Sequence, residues 1–124
     1  MKKEIDIMNN TRRLTFDDYD QGDYLIPKEL LQNPKYKCLD HTSILLYSVL
    51  LDELSSISAP AGLHDSAGHL YVRMKNQRMC ELLNIGQSKL IKIKKQLVEY
   101  DLIEIEKYGL GNNAHIFPIK PTQN

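Results

Sequence analysis

The chain has 124 residues, of which 42% are apolar, and its 16 Lys and Arg balance 16 Asp and Glu. This length and composition predict one globular domain that buries its own core. No apolar run approaches the roughly 18 residues of a membrane-spanning helix, and "MKKEIDIMNNTRR" lacks the apolar stretch of a signal peptide. We therefore expect a cytoplasmic protein that makes no contact with a membrane.

The neutral total hides an uneven distribution of charge along the chain. Residues 1–65 hold 7 Lys and Arg against 11 Asp and Glu, whereas residues 66–124 hold 9 against 5. A separation of this kind predicts one face that binds an acidic partner.

The first half of the chain is predicted to contain an arm and two helices. Residues 1–20 form an extended arm, residues 21–120 the main domain, and residues 121–124 a tail. A short helix is expected at 27–31 and a loop at "NPKYKCL". Asp40 is the predicted N-cap of a longer helix. The apolar residues of this helix recur at three-to-four spacing, which predicts the centre of the core: Ile44, Leu45, Tyr47, Leu50, Leu51 and Leu54.

The second half predicts a helix-turn-helix. After a loop at "SSISAPAGLHDSAGH", the alternation in "LYVRM" predicts a short strand. "NQRMCELL" predicts a helix with Asn76 as its N-cap, "NIG" interrupts it, and "QSKLIKIKKQLVEY" predicts a second helix. A turn this short, containing Gly, is typical of a helix-turn-helix. The apolar sides of the two helices are Met79, Leu82 and Leu83 in the first, and Leu90, Ile93, Leu97 and Tyr100 in the second.

A β-hairpin is predicted directly after the second helix, at about 102–118. "LIEIEKY" and "AHIFPI" read as two strands, and "GLGNN" between them is a turn. A helix-turn-helix followed by a hairpin is the order of a winged helix-turn-helix, in which the hairpin is the wing. The predicted fold class is therefore α+β, with a small antiparallel sheet.

Four lysines crowd into residues 89–95 of the second helix. In a helix-turn-helix that binds DNA, this helix lies in the major groove and its first residues reach base edges. A helical wheel puts Lys89, Lys92 and Lys95, with Gln96, opposite the buried stripe. Lysines neutralise phosphates, whereas Gln87 and Ser88 at the tip can contact bases. The alternative is an ordinary solvated helix face.

Two long stretches, "YLIPKELLQNPKYKCLDHTSILLYSVLLDELSSIS" and "HDSAGHLYVRMKNQRMCELLNIGQSKLIKIKKQLVEYDLIEIEKYGLGNNAHIF", resemble a known family. It is the amino-terminal domain of the RepA family of plasmid replication initiators (the RepA_N type) from Gram-positive bacteria. Two features depart from the pattern: Asp101 stands where winged helices often have Gly, and "GLGNNAH" lacks a proline expected in the wing. The resemblance implies a winged helix that binds repeated double-stranded DNA sites in a plasmid origin as a homodimer. It also implies a missing carboxy-terminal domain that engages host replication proteins, so the chain is expected to be truncated after residue 124.

The resemblance also implies roles for individual residues. The recognition helix maps to 87–100 and the wing to 107–113, where the polar residues equally suit an ordinary turn. A dimer through the arm is expected, the alternative being an arm folded onto its own domain. The predicted DNA-binding residues are Gln87, Ser88, Lys89, Lys92 and Lys95 in the groove, Lys94 on its flank, Asn76 and Gln77 as phosphate clamps, and Lys107, Asn112 and Asn113 in the wing. The predicted dimer residues are Leu14, Phe16, Tyr19 and Tyr24.

Other kinds of site find little support. Asp18, Asp20, Gly22 and Glu29 match positions of a calcium loop, but Asp23 stands where that loop needs Gly. His64 and His69 have no further ligands at metal spacing. No catalytic triad order or glycine-rich phosphate loop occurs, so we expect no enzyme, cofactor or metal. Cys38 and Cys80 are expected to be reduced and buried.

Two other functions remain open from the sequence. The first is a winged helix that docks another protein through the acidic residues of the arm, which are Asp17, Asp18, Asp20 and Asp23. The second is a transcriptional regulator, although an effector domain does not fit this length. Salt dependence separates DNA binding from protein docking, because affinity that rests on several lysines falls steeply as salt rises.

Overall fold

In a computed structural model of the protein, the described residues are 13–15, 22–57, 64–107 and 114–122. Helix α1 covers Glu29–Gln32 and is followed by a 3-10 helix at Pro34–Tyr36. Three longer helices come next: α2 at His41–Ile57, α3 at Asn76–Leu83 and α4 at Gln87–Glu99. Strands β1 (Ile103–Lys107) and β2 (Ala114–Pro118) then form a hairpin. The predicted winged-helix order is therefore confirmed.

Helix α2 is the central element of the core. It begins as predicted, because the Asp40 carboxylate accepts a hydrogen bond of 2.8 Å from the Thr42 backbone N–H. Its buried side differs from the prediction: Leu46 and Val49 are buried although neither was predicted, whereas Leu45 is 47% exposed. Residues 44–47 are all apolar, so periodicity alone did not distinguish them. The helix also continues to Ile57, although "SSI" was predicted to be loop.

Helices α3 and α4 form the helix-turn-helix, and both end in the same way. Asn84 and Asp101 follow the two helices with φ angles of 55° and 57°. The next residue bonds back to the last turn, Ile85 to the carbonyl of Cys80 and Leu102 to that of Leu97. This is the Schellman arrangement, which favours Gly in the left-handed position. Asp101, noted above in place of Gly, is therefore the residue that adopts that conformation.

The buried stripe of α4 is confirmed, since Leu90, Ile93 and Leu97 are all fully buried. In α3, Met79 is buried as predicted, whereas Leu82 is 38% exposed. The N-cap prediction for α3 was wrong: Lys75 precedes the helix, and Asn76 is its first residue. The side chain of Asn76 instead contacts α4, as described below.

The wing is a two-stranded antiparallel sheet with Ile103 opposite Pro118 and Lys107 opposite Ala114. The strand predicted at 70–74 is reduced to two isolated bridges: Leu70 pairs with His64, and Val72 exchanges hydrogen bonds of 2.8 and 2.9 Å with Ile116. It stays short because the chain turns into α3 only four residues after Val72. The second bridge still joins the wing to the segment before the helix-turn-helix.

The two cysteines differ in burial. Both are free thiols; Cys80 is buried as predicted, but Cys38 is exposed. Leu39, the neighbour of Cys38, occupies the buried position in that turn instead. The prediction for Cys38 was therefore wrong.

The described ranges hold neither a membrane span nor a metal cluster. None of their helices is both long enough and apolar enough to cross a bilayer. Within the same ranges, His, Cys, Asp and Glu side chains form no group of three that could hold a metal ion.

Candidate nucleic-acid interface

The outer face of α4 is the exposed side of the helix-turn-helix. Ser88, Lys92 and Lys95 lie on it at four- and three-residue spacing, and all three are exposed. Gln87 is exposed at the tip, where Gly86 precedes the helix and no side chain caps the first turn. The backbone N–H groups of that turn, with the positive end of the helix dipole, suit an anion. The structure thus brings four of the predicted groove residues together.

Lys89 lies on one flank of α4 and faces α2 rather than pointing outward. Its Nζ is 2.6 Å from Oδ2 of Asp40, with side chains 37% and 28% exposed. The hydrogen bond from Lys89, helped by the Thr42 backbone N–H, lowers the pKa of Asp40 to about 2. Lys89 therefore has a carboxylate partner within the domain, and any phosphate must compete with it.

Gln96 strengthens the same junction between α4 and α2. Its Oε1 accepts hydrogen bonds from the backbone N–H of Asp40 (2.8 Å) and from the hydroxyl of Ser43 (2.6 Å). Ser43 is fully buried. The helical wheel had placed Gln96 opposite the buried stripe, and this was wrong: Gln96 holds the helix against α2.

Lys94 lies on the other flank and faces α3 and the wing. Its Nζ donates a hydrogen bond of 2.9 Å to Oδ1 of Asn76. Burial, and then the positive charge of Lys107, lower the pKa of Lys94. The Asn76 side chain, predicted to clamp a phosphate, thus holds the ammonium group of Lys94 in place.

The remaining predicted residues are spread over the surface. Gln77 is exposed and donates to Oε1 of Glu81 at 3.2 Å. Lys107 is exposed at the end of β1. Asn112 and Asn113, predicted to reach the minor groove, lie outside the described residues.

The predicted dimer arm can be judged at two positions only. Leu14 is 79% exposed and Tyr24 is 49% exposed, whereas Phe16 and Tyr19 lie outside the described residues. Leu25 and Leu31, which were not predicted, are also largely exposed at 73% and 62%. Exposed apolar side chains therefore occur both in the described part of the arm and in α1.

Sequence reasoning missed two residues of the interface. Ile91 is 62% exposed and lies beside Lys92 and Lys95 on the outer face of α4. A helical wheel places it about 100° from Leu90 and about 200° from Ile93, so its exposure was foreseeable. Lys75, directly before α3, is exposed beside Lys94 and Lys107. Its position depends on how the wing packs, and no local pattern indicates it.

The fold is a winged helix whose outer helix carries exposed lysines. A family model described as "Replication initiator protein A (RepA) N-terminus" matches residues 23–123. The chain belongs to this family. Its membership confirms the resemblance that the sequence motifs indicated.

Known proteins similar to the chain agree with this assignment. A "41 kDa protein" of Lactobacillus helveticus is 32% identical over 83 residues, which are 67% of this chain but 23% of that protein. Two solved structures, "N-Terminal domain of DNA binding protein" and "Structure of Rep-DNA complex", each have a TM-score of 0.75 and 28% identity. Each comparison covers 90% of this chain and 86% of the other. "Structure of MDR initiator" has a TM-score of 0.73 and 26% identity, with coverage of 90% and 88%.

Proposed function

We propose that this domain recognises repeated double-stranded DNA sites in a plasmid origin and thereby helps to start replication. The exposed row of Ser88, Lys92 and Lys95 on α4 carries this proposal, because it offers cations and a polar group on a helix that fits a major groove. Likeness to a solved Rep-DNA complex supports it. The domain acts in the cytoplasm, where plasmid DNA is, and it acts by binding rather than by catalysis.

Within the groove, different side chains on α4 contact bases and phosphates. Gln87 and Ser88 contact base edges, and Ile91 offers an apolar contact for a thymine methyl group. Lys92 and Lys95 neutralise phosphates on either side. In the wing, Lys107 contacts a phosphate, and Asn112 and Asn113 remain the predicted minor-groove residues.

Repeated sites suit a protein that binds as a homodimer. The exposed Leu14, Tyr24, Leu25 and Leu31 support pairing of two copies through the arm and α1, because exposed apolar side chains favour protein contacts. Sedimentation at tens of micromolar with origin DNA tests this pairing. Only monomers, with one copy per half-site, would contradict it.

We propose that the full-length initiator contains more than this domain. The chain spans only 23% of the curated relative to which it is similar. A further carboxy-terminal domain is proposed to engage host replication proteins, while the domain described above selects the origin.

Footprinting on the cognate origin, followed by binding over a salt series, tests the function. Lys92→Gln and Lys95→Gln should each reduce the slope of log affinity against log salt by about 1, at specific and scrambled sites alike. Lys28→Gln, an exposed lysine beside α1, is the matched control and should change nothing. If the affinity of the wild type for DNA does not fall with salt and shows no preference for the origin, the domain is instead a protein-docking module.

A further inference from the structure

We propose that a cavity of about 140 Å³ between α3, α4 and the base of the wing binds one backbone phosphate of the DNA, held by Lys75, Lys94 and Lys107. The proposal rests on the proposed function and names a second contact surface for it. This surface is separate from the outer face of α4.

Three elements contribute the three ammonium groups. Lys75 comes directly before α3, Lys94 lies on the inner flank of α4, and Lys107 is the last residue of β1. Met74, Ala114 and Ile116 also line the cavity. Among the described residues that line it, none is Asp or Glu. A lysine-lined cavity without a carboxylate selects an anion by charge alone.

The cavity is also of a suitable size. Its volume of about 140 Å³ is several times the roughly 30 Å³ that a water molecule occupies in the liquid. It therefore admits a polyatomic anion such as a phosphate group.

Like charges are concentrated here before any ligand binds. Burial and the nearby Lys107 lower the pKa of Lys94, so its charged form is less favoured here than in an exposed lysine. A phosphate reverses this effect because it places a negative charge between the two ammonium groups. Binding therefore relieves repulsion that the fold itself creates.

Asn76 holds Lys94 ready for such a ligand. Its Oδ1 accepts one hydrogen bond from Nζ at 2.9 Å, and an ammonium group has three donors. Two donors thus remain for phosphate oxygens. The first turn of α3 has no side-chain cap, so its backbone N–H groups add to the positive potential beside the cavity.

The position of the cavity indicates which phosphate chemistry it receives. It opens beside the helix whose outer face carries Lys92 and Lys95, so a DNA strand along the groove wall passes it. A phosphodiester bound there contacts the recognition helix and the wing at once, which fixes the wing relative to the groove. A free phosphate ion has the same chemistry, and the experiment separates the two sources.

The test uses the full chain and origin duplexes in which one phosphate at a time is replaced by an uncharged methylphosphonate. With the wild-type protein, one position outside the contacts of Lys92 and Lys95 should lose about tenfold in affinity. The same replacement should have little further effect on Lys94→Gln or Lys107→Gln. Each variant should lower the salt slope by about 1 without changing the preference for origin over scrambled DNA. Lys120→Gln, an exposed lysine elsewhere, is the control.

The possible outcomes distinguish failure of the proposed phosphate site from failure of the proposed function. Origin binding by the wild type without any methylphosphonate position coupled to Lys94 and Lys107 would overturn the pocket alone. No origin binding at all would overturn both proposals. Inorganic phosphate that binds only to proteins with Lys94 but does not weaken DNA binding at matched ionic strength would show a free-anion site and overturn the assignment to DNA. Lys94→Gln and Lys107→Gln are independent variants, so the coupling is measured in one of them even if the other folds poorly.

Discussion

Replacing Asp40 with Asn separates the structural role of Lys89 from its role in DNA binding. Asn keeps a side-chain oxygen that can accept from the Thr42 N–H, so the start of α2 is preserved. It removes the negative charge that lies 2.6 Å from Lys89 Nζ. The released ammonium group is then free to reach a phosphate.

The expected loss of stability follows from the ion pair. The pKa of Asp40 falls from an ordinary 3.8 to about 2, and about 1.4 kcal/mol per pH unit gives an upper bound near 2.5 kcal/mol. Both side chains are partly exposed, so water and salt screen the pair and we expect about 1 kcal/mol. Because the folded pKa is the lower one, this stability is present above about pH 4 and is lost as pH falls towards 2. Unfolding by denaturant at pH 7 and at pH 2–4 should show a loss that is larger in wild type than in Asp40→Asn by about 1 kcal/mol. The other carboxylates, including Asp65 with its own lowered pKa, contribute to both.

Binding to DNA should change in the opposite direction. Asp40→Asn should raise affinity for origin and scrambled duplexes together and make the salt slope steeper by about 0.9, since one more phosphate is neutralised. Adding Lys89→Gln should return the slope to the wild-type value. Asp52→Asn removes an exposed carboxylate from the same helix without touching Lys89 and is the control. Equal gains in the two single variants, or no gain in Asp40→Asn, would refute the reasoning.

Three further predictions concern α4 and its end. Gln87→Ala should shift the preference among sites by about 1–3 kcal/mol if it makes a base contact, whereas Lys92→Ala should weaken all sites alike; competition assays against base-substituted duplexes distinguish them. The wild type should lose affinity when one thymine of the site is replaced by deoxyuridine, and Ile91→Ala should abolish that loss. If no thymine of the site is sensitive to this replacement, the contact with Ile91 is contradicted. Asp101→Gly should stabilise the fold by a few tenths of a kcal/mol and Asp101→Val destabilise it by about 1–2 kcal/mol, because only the first suits a positive φ. Thermal melts test this, and equal melting temperatures would contradict it.

The sequence predicted the order of elements because each left a local signal. The turn after α3, the buried stripe of α4 and the alternation in the wing depend on residues close in the chain. α2 shows where such signals run out: Leu45 and Leu46 are both apolar, and only packing decides which is buried. A run of apolar residues predicts burial but not its direction.

The partners of the side chains on the two flanks of α4 could not be predicted from such local signals. A helical wheel gives the angle of Lys89, but its partner Asp40 is 49 residues away in the chain. Similarly, Asn76 has the residue type of an N-cap, yet its acceptor is used by Lys94 across the helix pair. Partners of long side chains are set by how helices pack, and this is tertiary information that a single sequence does not display.

The directions of the four lysines in 89–95 set the number of phosphates that the domain can neutralise. Lys92 and Lys95 point outward, Lys89 pairs with Asp40, and Lys94 belongs to the cavity. One phosphate each for the two outer lysines and one for the cavity gives about three, hence a salt slope near −2.7 per domain at about −0.9 per phosphate. If all four lysines, Lys75 and Lys107 each contacted a separate phosphate, the slope would be near −5.4. Titrations between 50 and 200 mM salt, divided by the measured stoichiometry, separate these values. A slope near −5 would mean that Lys89 leaves Asp40 on binding and that the three lysines of the cavity do not share one ligand.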